Sequence, residues 1–246
     1  MIAKQIRNSK NPSDHLVFPL DVPNSEMAVA LADELKGRVG FFKVGLELFV
    51  AHGPALIDVL REKDPSARFF LDLKLHDIPA TVGRAIAAAR DLKVDLVTVH
   101  AQGGVEMMKA AVEAAAGATV LAVTLLTSLD PASLDELTPD YQSRSLYAAR
   151  LAQRALVAGC GGLVASPLEV TELRARFGRE PLLVTPGIRP TWSSVASDDQ
   201  KRVGTVESAL SAGSDLLVVG RPIRDAECRS EAADKILEEI AKTLNL

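Results

Sequence analysis

Short apolar runs alternate with longer segments rich in Ala, Leu and Glu along most of the chain. Several runs are apolar at nearly every position, which is typical of parallel strands that helices cover on the outside. This pattern predicts eight strands, at 15–21, 40–44, 68–73, 95–99, 118–124, 161–165, 181–185 and 214–219. The clearest predicted helices between and after them are 24–36, 79–92, 143–158 and 230–244.

Eight strand-and-helix units are typical of an α/β protein, and in particular of a closed (β/α)8 barrel, or TIM barrel. The chain has 246 residues, and one such barrel typically needs about 250. No linker rich in Pro, Gly or Ser divides the chain, so we predict a single domain over residues 1–246. An open, doubly wound sheet is the main alternative, because eight units do not prove closure.

Composition argues against several classes of function. The net charge is -4 and no long run of Lys and Arg occurs, which argues against a general nucleic-acid binder. No apolar stretch reaches the roughly 18 residues of a membrane span, and the N-terminus lacks the apolar region of a signal peptide. Cys160 and Cys228 lack metal-site spacing, so we predict two free thiols in a reducing cytoplasm.

Polar side chains collect where the predicted strands end, which is where barrels of this kind carry their active sites. The residues in these positions are Asp21, Lys43, Asp72, Lys74, His100, Thr127, Ser128 and Arg221. Because side chains alternate along a strand, we expect Asp72 and Lys74 to face the same side. A structural ion-pair network is the alternative to an active site here.

Lys74 is predicted to be a proton donor rather than a nucleophile. A Schiff-base lysine needs a free amine, whereas a nearby carboxylate such as that of Asp72 stabilises the ammonium. The role of Asp77 stays open at this point. It precedes a predicted helix with Pro79 in the first turn, so it could belong to the charged cluster or serve only as a helix cap.

The segments after strands seven and eight predict a phosphate site. They read VTPGIRP (184–190) and VVGRPI (218–223), and in barrels the loops after these strands often bind phosphate. Gly187 and Gly220 would allow close approach of the backbone, although both could simply serve tight turns. Arg221 offers a planar guanidinium that suits phosphate oxygens.

The longest irregular stretch, 186–203, is predicted to be a functional loop. It carries Arg189 and Gln200, which could close over a ligand. The chain has no HExxH, P-loop or GxGxxG motif, which argues against zinc, ATP and NAD chemistry.

The segment DLKLHDIPATV (72–82) resembles the signature of the orotidine 5'-phosphate decarboxylase family, with its Asp-x-Lys-x-x-Asp core. Further motifs similar to that family follow its order along the chain, namely LDVP (20–23), FKVGLELF (42–49), LTS (126–128), TPGIR (185–189) and VGRPI (219–223). The core alone is shared by relatives such as 3-keto-gulonate-6-phosphate decarboxylase and hexulose-phosphate synthase. Leu75 and Ala80 depart from the family pattern, which has a larger aromatic residue and Asn there.

The resemblance implies a homodimer of TIM barrels that converts orotidine monophosphate to uridine monophosphate in de novo pyrimidine biosynthesis, without a cofactor or metal. It implies a catalytic network of Lys43, Asp72 and Lys74, with Asp77 donated by the other subunit. The substrate-binding residues that it implies are Asp21, Lys43, Thr81 (across the dimer interface), Thr127, Ser128, Pro186, Arg189, Gln200, Gly220 and Arg221. Lys74 would stabilise a carbanion at C6 of the pyrimidine and then protonate it.

Three other functions remain to be separated from this one. A metal-dependent sugar-phosphate decarboxylase or synthase predicts a requirement for Mg2+ and no activity on a nucleotide. A nucleotide-binding protein without catalysis would not need both Asp72 and Lys74. A Schiff-base aldolase that uses Lys74 is disfavoured by the neighbouring acids.

Overall fold

The computed structural model describes residues 2–129, 132, 143–193 and 202–246. Its strands are β1 (Leu16–Pro19), β2 (Phe41–Gly45), β3 (Phe69–Leu75), β4 (Leu96–His100), β5 (Thr119–Val123), β6 (Gly162–Val164), β7 (Leu182–Thr185) and β8 (Leu216–Val218). The described helices are α1 (Ile2–Asn8), α2 (Ser25–Glu34), α3 (Leu46–His52), α4 (Ala55–Lys63), α5 (Pro79–Arg90), α6 (Gly104–Ala114), α7 (Arg144–Val157), α8 (Val170–Phe177), α9 (Val206–Ser211), α10 (Arg221–Arg224) and α11 (Arg229–Leu244). Short 3-10 turns lie at Pro12–His15 and Ala101–Gly103.

All neighbouring strands pair in parallel, and β8 pairs with β1 as well as with β7. The sheet is therefore a closed eight-stranded barrel, which confirms the predicted TIM barrel and rules out the open sheet. Each predicted strand is confirmed, and so are the four predicted helices, with ends that differ by two residues or fewer. The short helices α1, α3 and α10 were not predicted, because so few residues show little periodicity.

Side chains on the strands alternate between two apolar clusters. On β3, Phe70 lies in the cluster inside the barrel, whereas Phe69 and Leu71 pack outward against the helices. Ile6 from α1 is fully buried and joins the inner cluster. Helix α1 therefore covers one end of the barrel, and the apolar interior is closed at that end.

The end that α1 covers is held together around Asp215, just before β8. Its carboxylate accepts hydrogen bonds from Arg7 Nε at 2.6 Å and from Arg174 Nη2 at 2.8 Å. His15 is buried, with its Nδ1 2.9 Å from the carbonyl oxygen of Asp215. This amino-terminal face of the strands is the one that stabilises barrels, and the opposite face is left for chemistry.

Both cysteines are free, as predicted, with Cys160 buried and Cys228 exposed. Burial raises the pKa of the Cys160 thiol to about 12, so it stays protonated at neutral pH. Across the described ranges, none of the helices combines the length and the apolar character needed to cross a membrane. The cytoplasmic location stays a prediction.

Candidate active site

A cavity of about 560 Å³ opens at the carboxyl ends of the strands. Its walls include ten of the residues predicted from the sequence, namely Asp21, Lys43, Asp72, Lys74, Thr127, Ser128, Pro186, Arg189, Gly220 and Arg221. Phe70, Val164 and Val218 also line it and are continuous with the apolar interior of the barrel. Among the lining side chains, cations outnumber carboxylates by five to two. A cavity of this charge favours an anionic ligand.

Asp72 is the centre of an ion-pair network in this cavity. Its Oδ2 lies 2.9 Å from Lys74 Nζ and 3.4 Å from Lys43 Nζ. Lys43 Nζ also donates to Asp21 Oδ1 at 3.1 Å. A Cβ atom added at Gly45 would lie 3.1 Å from Asp21 Oδ1 and 3.2 Å from Lys43 Nζ, so the glycine leaves room for this pair. The three strand ends thus bring together residues that lie far apart in the sequence.

The network keeps its buried members charged. Burial alone would lower the pKa of Lys43, but the charges of Asp72 and Asp21 outweigh it and raise the pKa. Burial alone would raise the pKa of Asp72, but Lys43 and Lys74 outweigh it and lower the pKa. At neutral pH the cavity therefore holds the ionised carboxylate of Asp72 against the ammonium of Lys43 rather than two neutral partners.

The strand that carries Asp72 and Lys74 is irregular, which simple alternation does not predict. Leu71 pairs with Val97 and Leu75 with Val99, so β3 has two more residues than β4 between the same two pairs. Within this bulge Lys74 has a φ of 49°, in the left-handed region that residues other than glycine seldom adopt. Its side chain nevertheless reaches Asp72, as predicted.

The backbone at the bulge is bonded to a threonine that sequence analysis missed. The N–H of Lys74 donates to Thr98 Oγ1 at 2.9 Å, and that hydroxyl donates to Asp72 Oδ1 at 2.9 Å. Thr98 is completely buried, in the middle of β4. Its only sequence signal is a polar residue inside an apolar strand, which does not indicate what that residue binds.

The loop after β7 and the start of α10 form the other side of the cavity. Gly187 has a φ of 77°, and the chain turns there so that Arg189 N donates to Gly204 O at 2.8 Å. Gly220 lies against Pro19, because an added Cβ would come within 2.9 Å of Pro19 Cγ. Arg189 and Arg221 both line the cavity, which fits the prediction of an anion site on this side.

Two predicted site residues, Asp77 and Thr81, do not line the cavity: Asp77 is exposed and Thr81 is half-buried, both beside the mouth of the barrel. A third, Gln200, lies outside the described residues. The helix-cap alternative for Asp77 is wrong, because α5 begins at Pro79 with Ile78 as its cap residue. The Asp77 carboxylate instead accepts from the N–H of Ile78 at 2.6 Å.

A buried ion pair that sequence analysis missed joins three loops around the mouth. Arg202 binds the carboxylate of Glu169, with both side chains almost fully buried. Arg202 Nη2 also donates to the carbonyl oxygen of Leu126 at 2.6 Å, next to Thr127. The loops after β5, β6 and β7 are therefore tied together beside the cavity.

The histidines near the site form a stacked pair. The rings of His76 and His100 have centroids 5.5 Å apart, and burial, together with His76 and Lys74, lowers the pKa of His100. His100 is therefore neutral at pH 7. In the described part of the chain, no group of three or more His, Cys, Asp or Glu is arranged to hold a metal ion.

A closed barrel with a cationic cavity and a lysine–carboxylate cluster at the carboxyl ends of its strands is typical of TIM-barrel enzymes, whose active sites lie at these strand ends. Comparison with known proteins defines the family. Residues 14–236 match the model of the orotidine 5'-phosphate decarboxylase / HUMPS family. The chain belongs to this family and is an enzyme of the carboxy-lyase class.

Individual relatives match over nearly their whole length. Proteins named orotidine 5'-phosphate decarboxylase from Anaeromyxobacter dehalogenans and Desulfosudis oleivorans are 48% and 44% identical, covering 92% and 96% of this chain and 97% and 96% of their own. The crystal structure of orotidine 5'-phosphate decarboxylase from Lactobacillus acidophilus superposes with a TM-score of 0.79 at 34% identity. That match covers 92% of this chain and 98% of the other.

Proposed function

We propose that this protein decarboxylates orotidine monophosphate to uridine monophosphate, without a cofactor, as a step of pyrimidine biosynthesis. The observation that carries the proposal is the ammonium of Lys74, held 2.9 Å from Asp72 inside a cationic cavity. Family membership and relatives of this name support the choice of substrate. Together they favour a nucleotide over a sugar phosphate as the anion that fills the cavity.

The proposed reaction needs a cation more than it needs a base. The bond between C6 of the pyrimidine and the carboxylate breaks, CO2 leaves, and the electron pair stays on C6. The Lys74 ammonium stabilises this carbanion and transfers a proton to C6, and the resulting amine is reprotonated by solvent. Asp72 orients Lys74 through their ion pair, and Lys43 contacts the same carboxylate at 3.4 Å and helps to hold it in place.

The remaining lining residues have proposed roles in binding. The phosphate and the base are bound by Arg189, Gln200, Gly220 and Arg221. Asp21 binds the ribose beside Lys43. Thr127 and Ser128 contact the pyrimidine, and Pro186 lines the base pocket. Phosphate contacts lie far from C6, so their binding energy can be used to close the loop of Arg189 over the substrate.

We also propose that the site is completed by a second copy of the chain. Asp77 and Thr81 lie outside the cavity of their own subunit and would reach the cavity of the other. Ile78, next to Asp77, is 64% exposed, and Leu46 and Val50, one turn apart on α3, are also exposed. Apolar side chains exposed near the mouth favour contact with another protein surface.

The first test is to add the purified protein to orotidine monophosphate with EDTA present and to follow the absorbance of the substrate. We expect conversion to uridine monophosphate. If a folded preparation gives no conversion, the proposal is wrong. Turnover of a sugar phosphate after Mg2+ is restored would then identify a metal-dependent relative.

Two substitutions test the assigned roles. Lys74→Ala should lower kcat by about a thousandfold or more, because it removes both the charge and the proton at C6. Arg221→Ala should mainly raise KM, because it removes a phosphate contact. Lys109→Ala, which removes an exposed lysine paired with Glu106 on α6, is the control and should leave both constants unchanged. Equal and mild losses in the first two variants would contradict these roles.

A further inference from the structure

Thr98 holds two parts of the charged cluster at once. It lies on β4 between Val97 and Val99, which pack outward, so its own side chain points into the barrel. Its hydroxyl is within hydrogen-bond distance of both the backbone of Lys74 and the carboxylate of Asp72. The residue is fully buried and does not line the cavity, so it can affect a substrate only indirectly, through the residues that it contacts.

The direction of both hydrogen bonds is fixed by chemistry. The N–H of Lys74 can only donate, so the Thr98 oxygen accepts from it. The hydroxyl proton is then left for Asp72 Oδ1, which as part of an ionised carboxylate can only accept. This second bond is charge-assisted and therefore among the stronger kinds. The other oxygen of Asp72 is left to the two ammonium groups.

The first of these bonds falls where the strand pairing is interrupted. Between the pairs formed by Leu71 and Leu75, β3 bulges away from the regular ladder. The bond from Lys74 N to Thr98 replaces a backbone bond at this place. It supports Lys74 in the left-handed conformation, which is unfavourable for a residue that has a side chain.

We propose that Thr98 is a positioning residue for the decarboxylation, which sets the place of the Lys74 ammonium by fixing its backbone and its Asp72 partner together. The inference rests on the proposed function, because the ammonium matters only where a carbanion forms at C6. A side chain on β4 thereby determines the geometry of a catalytic pair on β3. A displacement of a catalytic group by about 1 Å can cost about a hundredfold in rate.

The test compares three variants of Thr98 with the wild type. Thr98→Val keeps the shape and removes the hydroxyl, and we expect kcat to fall by about tenfold to a hundredfold with a smaller change in KM. Thr98→Ser keeps the hydroxyl and should restore most of kcat. If Thr98→Val does not fold, Thr98→Ala against Thr98→Ser makes the same comparison.

A second readout follows Asp72 directly, by carbon-13 NMR titration of its carboxyl group. The Thr98 hydroxyl is one of the groups that lower the pKa of Asp72, along with Lys43 on β2 and Lys74 on β3, while Asp21 faces it across Lys43. Removing the hydroxyl should therefore raise the pKa of Asp72, and the acid limb of the kcat/KM profile should move to higher pH. Thr98→Ser should leave both in place.

Thr124→Val is the matched control. Thr124 is also fully buried, but its hydroxyl donates to the carbonyl oxygen of Val164 rather than to the charged cluster. Loss of the Thr124 hydroxyl should lower the free energy of unfolding without changing the pKa of Asp72. The inference is overturned if Thr98→Val keeps wild-type kcat and an unchanged Asp72 titration, or if the Val and Ser variants are equally impaired. An inactive wild type would overturn the proposed function instead, and the titration would still decide whether Thr98 holds Asp72.

Discussion

Asp72 shows how a single buried carboxylate can organise a site. One oxygen accepts from Thr98 and the other contacts two ammonium groups, so each side of the carboxylate has a distinct task. Burying such charges is unfavourable unless they are paired, and here the ion pairs more than offset the effect of burial on protonation. Removing any one of the charged side chains of this network therefore leaves an uncompensated charge in the cavity wall.

His100 is a residue whose protonation should affect stability. Burial, His76 and Lys74 all disfavour its charged form, so its pKa in the folded state lies below its ordinary value of 6.5. As the pH falls below 6.5 the unfolded chain takes up the proton first, so folding stability decreases until the folded pKa is reached. Urea unfolding at successive pH values measures this effect. We expect the free energy of unfolding to fall less over this pH range for His100→Asn than for the wild type. Parallel curves for the two proteins would contradict this expectation.

At the scale of elements, the loops at the mouth are connected by side chains more than by secondary structure. The ion pair between Arg202 and Glu169 joins the loops after β7 and β6, and the bond from Arg202 to Leu126 adds the loop after β5. Glu169 Oε2 also accepts from the N–H of Ser166 at 3.1 Å. Thr127 and Ser128, proposed to contact the pyrimidine, and Arg189, proposed to bind the base or the phosphate, thus lie on loops with a common anchor.

Breaking this pair from one side should be strongly destabilising. Arg202→Met leaves the Glu169 carboxylate buried without its partner, and we expect a loss of about 3–5 kcal/mol in the free energy of unfolding. Adding Glu169→Leu should recover part of that loss, because no buried charge then remains. Urea unfolding of the single and double variants measures both effects. An additive further loss in the double variant would show that the pair is not coupled.

At the scale of the whole molecule, the two ends of the barrel have different tasks. The amino-terminal end is closed by α1, by the buried Ile6 and by the Asp215 network, and the carboxyl-terminal end is open. The exposed position of Asp77 at the open end is understandable if a second subunit covers it. The number of complete active sites would then depend on assembly.

Mixed dimers test this proposal. Lys74→Ala and Asp77→Ala should each inactivate the enzyme, because each removes one residue from every site. If sites are shared across a two-fold interface, each mixed dimer has one site with both native residues, and random mixing should restore about a quarter of wild-type activity. Activity that stays at the level of the separate variants after subunit exchange would show that each chain completes its own site.

The sequence by itself determined the strands, the class of fold and most of the cavity wall. Runs such as LVFP on β1 and FFLDL on β3 are apolar enough to be recognised locally, and in a barrel the end of each strand indicates where chemistry lies. Lys43, Asp72 and Lys74 could be placed together because each lies at the end of a predicted strand and because consecutive strands are usually neighbours in a sheet.

Only the tertiary structure decided the features that depend on pairs distant in sequence. Closure needs β1 to pair with β8, the bond from Thr98 to Asp72 joins residues 26 positions apart, and the Arg202–Glu169 pair joins residues 33 apart. Local sequence does not determine which residue a threonine in an apolar strand or an arginine in a loop will bind, because many partners are possible for each. Which partner each one meets is set by strand register and by the bulge in β3, because these decide which side chains share the buried space inside the barrel.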